Sequence, residues 1–472
     1  MALTSPPTSA QDRTGASSAD EPLSTQVYWI SVCLGFALLL TYNFTLNLIT
    51  FFADVYADQA IGYFVALALT YPSLAVQVFM LTVGDRVPAF LRIRASLLTN
   101  SLVLILLVTA APPAGRTAGL ALMAVSGLAT AVLEASLFGF LSQLGREGAY
   151  SQAAMAGAGA AGLVAALLQI SIRGALPERQ SALLYAAIGV SVLLGSVAAH
   201  LRLESLPEVR RVFDTQPAPA SASPAAGDAH LEEAQSPLAV VSAANAGKRL
   251  PLSVASEAPP LESWEAYADE KAPSAMRPSA PASSAAIDFA TEDRGGSKGK
   301  GFLALLVNLA RVARVVAVPA AAVFTQFVAT FLVFPGVTAQ VTYKGTDSGA
   351  ASAWFSILIL VFSIADVAGR SFAARHAALS DAALMLYALS RFMWAPLVAA
   401  CAFNWAPGFN NDAAIVLIML GFGFSNGHVA SLGIMCASKA RPRDRELAGM
   451  VLVACLHFGI ASGSNLALVF DS

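Results

Sequence analysis

The stretch Ala353-Trp-Phe-Ser-Ile-Leu-Ile-Leu-Val-Phe-Ser-Ile-Ala-Asp366-Val-Ala-Gly-Arg370 decides the fold. It is apolar for long enough to be a membrane helix, yet it carries two opposite charges. A spacing of four residues places Asp366 and Arg370 on one face of a helix, close enough to pair. Charged side chains at membrane depth are costly, so they face a protein interior or a water-filled cavity. The stretch therefore predicts a membrane helix that lines a route for a polar solute.

The composition of the whole chain agrees with a membrane protein. Of its 472 residues, 56% are hydrophobic and 12% charged, and the mean hydropathy is +0.64. A helix needs about 20 residues to cross the roughly 30 Å hydrocarbon core. The sequence predicts an all-α polytopic membrane protein with eleven transmembrane helices. We place them at 27–50, 61–83, 94–111, 117–143, 152–173, 181–203, 313–337, 350–374, 382–403, 413–437 and 447–470.

These spans divide the chain into four parts. Residues 1–26 are predicted to be a disordered cytoplasmic N-terminus, and the first span is too long for the apolar region of a cleavable signal peptide. Residues 27–206 form a bundle of six spans. Residues 207–300 are rich in Ala, Pro, Ser and Glu, a composition typical of a disordered loop. Residues 301–472 form a second bundle of five spans.

The orientation is predicted from the Lys and Arg residues of the short loops, which are enriched on the cytoplasmic side. With a cytoplasmic N-terminus, nine of these residues lie in cytoplasmic loops and four in the opposite loops. The nine are Arg86, Arg92, Arg94, Arg146, Arg375, Lys439, Arg441, Arg443 and Arg445, and the four are Arg116, Arg173, Arg179 and Lys344. We therefore expect a cytoplasmic N-terminus and an extracellular C-terminus.

Several classes of protein are not favoured by the sequence. The four cysteines fall inside apolar spans, where Cys packs as a small hydrophobe, and they suggest neither a disulfide framework nor a metal site. We find no phosphate-binding loop for ATP and no Ser/His arrangement for hydrolysis. We expect the lipid bilayer and a small solute as partners, without nucleic acid, ATP, a cofactor or enzymatic activity. A secondary carrier or facilitator remains.

Polar side chains in other spans are candidates for solute binding. Glu134 lies near the middle of the fourth span, and an intramembrane carboxylate is a candidate functional residue. It can bind a solute or couple transport to protons, or alternatively pair with an arginine such as Arg391. Tyr42 and Asn43 in the first span combine an aromatic ring with an amide, which suits a flat hydrogen-bonding ligand. His428 in the tenth span can titrate or bond a solute, although a lone His more often only packs.

Small residues open the fifth span, where Gly157, Gly159 and Gly162 occur within the run Ala153-Ala-Met-Ala-Gly157-Ala-Gly159-Ala-Ala-Gly162. Small residues four apart let a neighbouring helix approach closely. In a carrier such a face also permits sliding between states. Tight packing alone is an equally good interpretation, and the two are compatible.

The order of the motifs resembles the equilibrative nucleoside transporter family across nearly all of the membrane part. The run ending in Tyr42-Asn43-Phe44 is similar to the family's Pro-Trp-Asn-Phe, and the Asp-x-x-Gly-Arg motif is present at Asp366–Arg370. Further similar segments are Glu134-Ala-Ser-Leu-Phe-Gly139, Gly157-Ala-Gly159-Ala-Ala-Gly162, Phe334-Pro335-Gly336-Val-Thr338, Arg391-Phe-Met-Trp-Ala-Pro396 and Ser425-Asn426-Gly427.

The resemblance implies a fold like that of the major facilitator superfamily without its twelfth helix, with two bundles rocking around a central site. It also implies passive or proton-assisted movement of nucleosides, such as the purine adenosine, or of nucleobases. Asp366 and Arg370 would then face the substrate. Glu134 replaces the family's neutral Gln, which brings pH-independent transport into question, and Tyr42 replaces its Trp.

From these observations we expect a plasma-membrane nucleoside carrier that works by alternating access. Two other functions stay open. The extra acid at Glu134 favours a carrier of another small polar solute, such as an organic cation. A non-transporting membrane scaffold that uses the central loop for partners is the less favoured alternative.

Overall fold

The computed structural model describes residues 24–56, 61–172, 176–214 and 298–467. These ranges contain eleven main helices, labelled here in chain order. They are α1 Thr25–Asn47, α2 Ile61–Val83, α3 Ala89–Thr109, α4 Arg116–Gln143, α5 Ala149–Ile172, α6 Glu178–Ser205, α7 Ala317–Phe331, α8 Ser348–Phe372, α9 Asp381–Ala402, α10 Asp412–Met435 and α11 Arg445–Ala467. Each predicted span corresponds to one of them, so the all-α prediction is confirmed.

Ten helices within the described ranges are long and apolar enough to cross a membrane. The helix that falls short is α2, in which the apolar part is Leu67–Thr82 and Pro72 lies inside the helix. The third helix ends at Thr109, shortly before two consecutive prolines. There Pro112 and Pro113 occupy the short helix Ala111–Ala114, whose first turn needs no N–H donor from proline.

The edges of the central loop differ from the prediction. Helices Pro207–Asp214 and Lys298–Val315 lie where the sequence places the ends of a disordered stretch, so residues 207–214 and 298–300 were wrongly assigned to it. The first of these helices is held partly by Ser24, whose Oγ donates to Glu208 Oε1 at 3.0 Å. The rest of the predicted loop, 215–297, and residues 1–23 of the predicted disordered N-terminus lie outside the described residues.

The helices pack as two bundles. In the first, α1 packs on α5 and α6, and α4 packs on α2 and α3. In the second, α8 packs on α10, and α7 packs on α9, α10 and α11. The bundles meet where α11 contacts α2 and α4, and where α5 contacts α8 and α10. This last set of contacts positions the candidate site.

Glycines allow the closest helix contacts. A Cβ at Gly157 of α5 would lie 2.0 Å from Val32 O of α1, and a Cβ at Gly427 of α10 would lie 2.0 Å from Asp366 O of α8. Because real Cβ atoms do not approach a carbonyl oxygen this closely, any larger residue would force these helices apart. The packing interpretation of Gly157 therefore holds for α1 and α5.

A tight turn joins α4 to α5. Gly145 and Gly148 have φ values of 72° and 79°, in the left-handed region that glycine adopts readily. Glu147 between them has a φ of 52°. A Cβ at Gly148 would also lie 2.7 Å from Met435 O at the end of α10, so this turn is part of the contact between the bundles.

Candidate functional site

The ion pair that the spacing of four predicts is present on α8. Arg370 Nε donates to Asp366 Oδ2 at 2.6 Å, and the two residues are only 7% and 5% exposed. Charge-assisted bonds of this kind are short and strong when they are sheltered from water. The pair is thus a preformed polar element at membrane depth.

A chain of hydrogen bonds extends from this pair through the second bundle. Asn426 of α10 donates from Nδ2 to Asp366 Oδ1 at 2.6 Å. Its own Oδ1 accepts from Thr330 Oγ1 of α7 at 2.7 Å, and that hydroxyl accepts from Arg391 of α9 at 2.8 Å. Four helices of the bundle therefore position one carboxylate, and Asn426 and Thr330 were not among the predicted site residues.

Arg391 is fully buried and is solvated by neutral groups. Its guanidinium donates to the side-chain carbonyl oxygen of Gln326, to Gln326 O at 3.1 Å and to Ser425 Oγ at 3.2 Å. It also lies 5.2 Å from the ring centroid of Phe422. The alternative in which Arg391 pairs with Glu134 is wrong, because these acceptors within its own bundle surround it.

Arg370 also connects the two bundles. Its Nη1 donates to Met155 O of α5 at 3.1 Å, and Gln152 Nε2 of α5 donates back to Arg370 O at 2.8 Å. A Cβ at Gly159 would lie 2.8 Å from Arg370 Cδ. Gly159 therefore leaves room for the arginine, and the small-residue face of α5 serves both helix packing and access of this side chain.

Glu134 has a partner that the sequence did not predict. His457 of α11 places Nε2 3.4 Å from Glu134 Oε2, across the boundary between the bundles. Gln77 of α2 lies on the other side of the ring, with Nε2 3.3 Å from His457 Nδ1. His457 stands in the apolar run Ala454-Cys-Leu-His457-Phe, and a titratable residue inside a span is the signal that identifies such positions.

The other predicted site residues lie in two places, with Tyr42 and Asn43 on α1 and His428 on α10. Asn43 of α1 donates from Nδ2 to Leu39 O at 2.8 Å, and its amide lies 3.9 Å from a Cβ placed at Gly162 of α5. Tyr42 is half-buried and packs against the core of the first bundle. The two residues thus belong to the α1 and α5 side.

His428 is not brought together with the ion pair. Its Nε2 lies 3.1 Å from His376 Nδ1, and its ring packs against Tyr387 and Phe424. These neighbours belong to α9, α10 and the turn after α8. Its contacts are therefore those of a packing residue inside the second bundle, although His428 follows Asn426 and Gly427 directly in the sequence.

A third polar cluster closes the bundles at the C-terminal end of α4. Arg92 of α3 forms an ion pair with Glu446 of α11, and Gln143 Nε2 of α4 donates to the other oxygen of that carboxylate at 2.5 Å. Ser142 Oγ donates to Arg445 O at 2.8 Å. The predicted site did not include this cluster, because its members are distant in sequence and each resembles an ordinary loop-edge residue.

Comparison with known proteins identifies the family. Residues 120–472 match the family model described as nucleoside transporter. The chain belongs to the nucleoside transporter family. The match covers α4–α11 and so includes Glu134, Asp366 and Arg370, together with His457 and Arg391.

Curated members resemble this transporter over most of its length. It is 24% identical to equilibrative nucleoside transporter 4 of Homo sapiens over 481 aligned residues, which cover 95% of this chain and 84% of that protein. It is 27% identical to equilibrative nucleoside transporter 2 of Mus musculus over 72% of this chain and 69% of that one. The predicted family resemblance is confirmed.

Solved structures confirm the major-facilitator-like fold. The proton:xylose symporter XylE matches with a TM-score of 0.56 and 8% identity, over 94% of this transporter and 88% of that chain. The fucose:proton symporter FucP of E. coli matches with a TM-score of 0.51 and 13% identity, over 94% and 92% of the two chains. The two helical bundles of this family member thus share the fold of those chains.

Proposed function

We propose that this transporter carries nucleosides, with adenosine as the first candidate, across the membrane by alternating access at the interface of its two bundles. The observation that carries the proposal is the buried pair Asp366–Arg370, which belongs to the second bundle and bonds the first through Met155 O. A polar pair at that position presents both hydrogen-bond donors and acceptors to a solute. The family match and the names of its relatives supply the solute class.

Substrate contact is assigned to residues on both sides of the interface. Asp366 and Arg370 bind the ribose or base through charge-assisted hydrogen bonds, which are roughly twice as strong as neutral ones. Glu134 contributes an acceptor from the first bundle. Tyr42 and Asn43 contribute a ring and an amide from α1, where Asn43 adjoins the glycine face of α5. His428 is not assigned to this set, because its contacts lie with His376 and Tyr387.

We further propose a plasma-membrane location with a cytoplasmic N-terminus and an extracellular C-terminus. The support is the excess of Lys and Arg in the loops that follow even-numbered helices. In that orientation the cluster of Arg92, Gln143 and Glu446 lies at the cytoplasmic end. The described arrangement would then be the one in which the carrier is closed toward the cytoplasm.

The proposal is tested by uptake of radiolabelled adenosine into proteoliposomes, with and without an inward proton gradient. Saturable uptake that unlabelled nucleosides inhibit supports it. The comparison of wild type with Glu134→Gln separates two modes: stimulation that the variant loses indicates proton coupling, and equal rates indicate a facilitator. Proteoliposomes that take up no adenosine in either condition would contradict the nucleoside assignment.

Glu134 also favours a second candidate, a carrier of organic cations. A buried carboxylate whose described partner is a histidine can attract a cationic solute in place of that ring. Competition of adenosine uptake by an organic cation and by unlabelled nucleosides distinguishes the two. Inhibition by the cation alone, at equal concentration, would favour the cation carrier.

A further inference from the structure

We propose that Glu134 and His457 form one shared proton-binding site between the bundles, so that a proton is carried with each solute. The inference deepens the proposed carrier function and rests on it for the identity of the solute. It assigns His457 and Gln77 a role in coupling, in addition to the carboxylate.

The imidazole is in contact with the carboxylate on one edge. Its Nε2 lies 3.4 Å from Glu134 Oε2, and the two residues are 9% and 6% exposed. Water therefore competes little for this contact, and a proton between the two groups is held by both. A proton placed between the carboxylate and the imidazole nitrogen therefore has an acceptor on either side.

The other ring nitrogen, Nδ1, has a hydrogen-bond partner in both protonation states of the imidazole. His457 Nδ1 lies 3.3 Å from the amide nitrogen of Gln77 and 3.1 Å from Val453 O. A neutral ring with its proton on Nε2 accepts at Nδ1 from Gln77. A ring that carries a second proton donates from Nδ1 to Val453 O. The site can therefore gain or lose one proton while every ring nitrogen keeps a partner.

Gln77 is itself held in position for this task. Its amide nitrogen also donates to Ala131 O of α4 at 3.2 Å, one turn before Glu134. Gln77 thus ties α2 to α4 and presents its remaining N–H to the histidine of α11. A side chain that only filled space between helices would not need to satisfy this geometry.

The charged surroundings leave the pair as the proton acceptor at this depth. Of the helices packed against α4 or α11, α1, α2, α5 and α7 contain no Asp, Glu, Lys, Arg or His within their described ranges. From α8, Arg370 acts on Glu134 electrostatically, and Asp366 binds that arginine. From α10, His428 is occupied with His376, and Asp412 lies at the exposed helix start.

The remaining charges belong to the helix ends. Arg116 lies at the start of α4 and is stacked on the ring of Phe64. At the opposite end, Arg92 and Glu446 pair with one another, and Asp444 is bound by Arg311. Other charged residues at that end include Arg86, Arg94, Arg146, Glu147, Glu204, Arg314, Lys439, Arg441, Arg443 and Arg445. None of the ion pairs described at these ends includes Glu134 or His457.

The position of the pair connects proton binding to bundle movement. Glu134 and Gln77 belong to the first bundle and His457 to the second, so a movement that separates α4 from α11 separates the carboxylate from the ring. A bare carboxylate at membrane depth is costly. Occupancy of the site by a proton therefore changes which arrangement of the bundles is favoured, as coupled transport requires.

The first experiment uses two assays on the same proteoliposomes. Accumulation of labelled adenosine is measured under an outside-acid gradient of about 2 pH units, which limits accumulation to about 100-fold for one proton per solute. Equilibrium exchange of adenosine is measured at equal pH. We expect His457→Gln to reduce gradient-driven accumulation to about 1-fold and to retain exchange. The matched control, His376→Gln, should retain both.

The outcomes separate the inference from the proposed function. Retained accumulation in His457→Gln overturns the shared site, and so does an equal loss in His376→Gln. Should His457→Gln fail to assemble, Gln77→Leu keeps the imidazole and removes the donor at Nδ1 together with the bond to Ala131 O, and accumulation at the wild-type level in that variant would also overturn the inference. Absence of exchange in the wild type refutes adenosine as the solute and leaves the proton site to a second assay.

That assay needs no solute. Spin labels at Arg86 and Arg443, both exposed near the closed end of the bundles, report the distance between them in a background with the four native cysteines replaced by serine. We expect the distance distribution to change with pH in the labelled transporter that keeps His457. In the labelled His457→Gln variant it should be independent of pH. A distribution that responds to pH equally in both proteins refutes the inference whatever the solute is.

Discussion

Replacement of Arg370 by alanine should abolish uptake while the protein still reaches the membrane. The change removes the 2.6 Å ion pair to Asp366 and the 3.1 Å hydrogen bond that reaches Met155 O of the other bundle. Asp366 then keeps only the bond from Asn426, at 2.6 Å, and stays buried with its charge unpaired. One substitution thus removes both a proposed solute contact and a connection between the bundles.

The magnitude follows from the burial of the pair. Removing one partner of a buried ion pair typically costs about 3–5 kcal/mol, because the other charge is left without compensation. At about 1.4 kcal/mol for each tenfold change, the loss corresponds to a factor of roughly 100 to several thousand. We therefore expect uptake below about 1% of the wild-type rate. Arg370→Lys keeps the positive charge and loses the planar guanidinium, so its uptake rate should lie between those of the wild type and Arg370→Ala.

The assay is radiolabelled adenosine uptake normalised to the amount of surface protein measured by biotinylation. Arg375→Ala is the matched control, since Arg375 lies shortly after α8, is exposed and stacks on the ring of Phe372. It should transport at nearly the wild-type rate. Uptake by Arg370→Ala at the rate of that control, with equal surface protein, would refute the assignment of the ion pair to the transport site.

Three further predictions follow from the structure and the sequence. Gly157→Val should prevent assembly, because a Cβ would lie 2.0 Å from Val32 O, whereas Gly195→Ala, with no atom within 4 Å, should express normally; equal yields in membrane fractions would contradict this packing. Glu446→Gln should open the end of the bundles that Arg92 and Gln143 close, because removing a charged partner from a largely buried pair is costly. Thiol labelling of a cysteine placed at Ser142 should then be at least about tenfold faster than in the same cysteine variant that keeps Glu446. Deletion of residues 215–295 should leave transport intact because their composition predicts a disordered loop, and a loss of uptake at equal surface expression would favour the scaffold alternative.

Local features of the site could be predicted from the sequence. The pairing of Asp366 with Arg370 depends on helical spacing alone, and the close packing of α5 follows from the small size of its residues. The number and order of the helices follow from the length of the apolar runs. In each case the relevant physics acts within a few neighbouring residues, where the sequence can be interpreted without a fold.

Contacts between distant segments could not be predicted in this way. Glu134 pairs with His457 and not with Arg391, because α11 packs against α4 across the boundary between the bundles, whereas Arg391 of α9 bonds to α7 and α10 within the second bundle. The sequence suggests a carboxylate partner for the cation Arg391. In the structure, Gln326, Thr330 and Ser425 accept its hydrogen bonds within its own bundle. Hydropathy shows that such residues are buried, but it does not show the helix face that each of them meets.

The buried charges are divided between the bundles in a way that bears on how the carrier works. Within the described part of helices α7–α11, Arg370 and Arg391 are buried cations and Asp366 is a buried carboxylate, while the buried Asp444 lies in the turn between α10 and α11. The first bundle supplies Glu134, which meets a histidine of the second. Each bundle therefore buries polar groups whose partners or compensating charges lie partly on the other side. When the bundles separate, those groups need a replacement partner, and a solute rich in hydrogen-bond donors and acceptors can supply it only while it occupies the interface. Under the proposed function, binding of a polar solute at the interface is therefore the step that accompanies separation of the bundles.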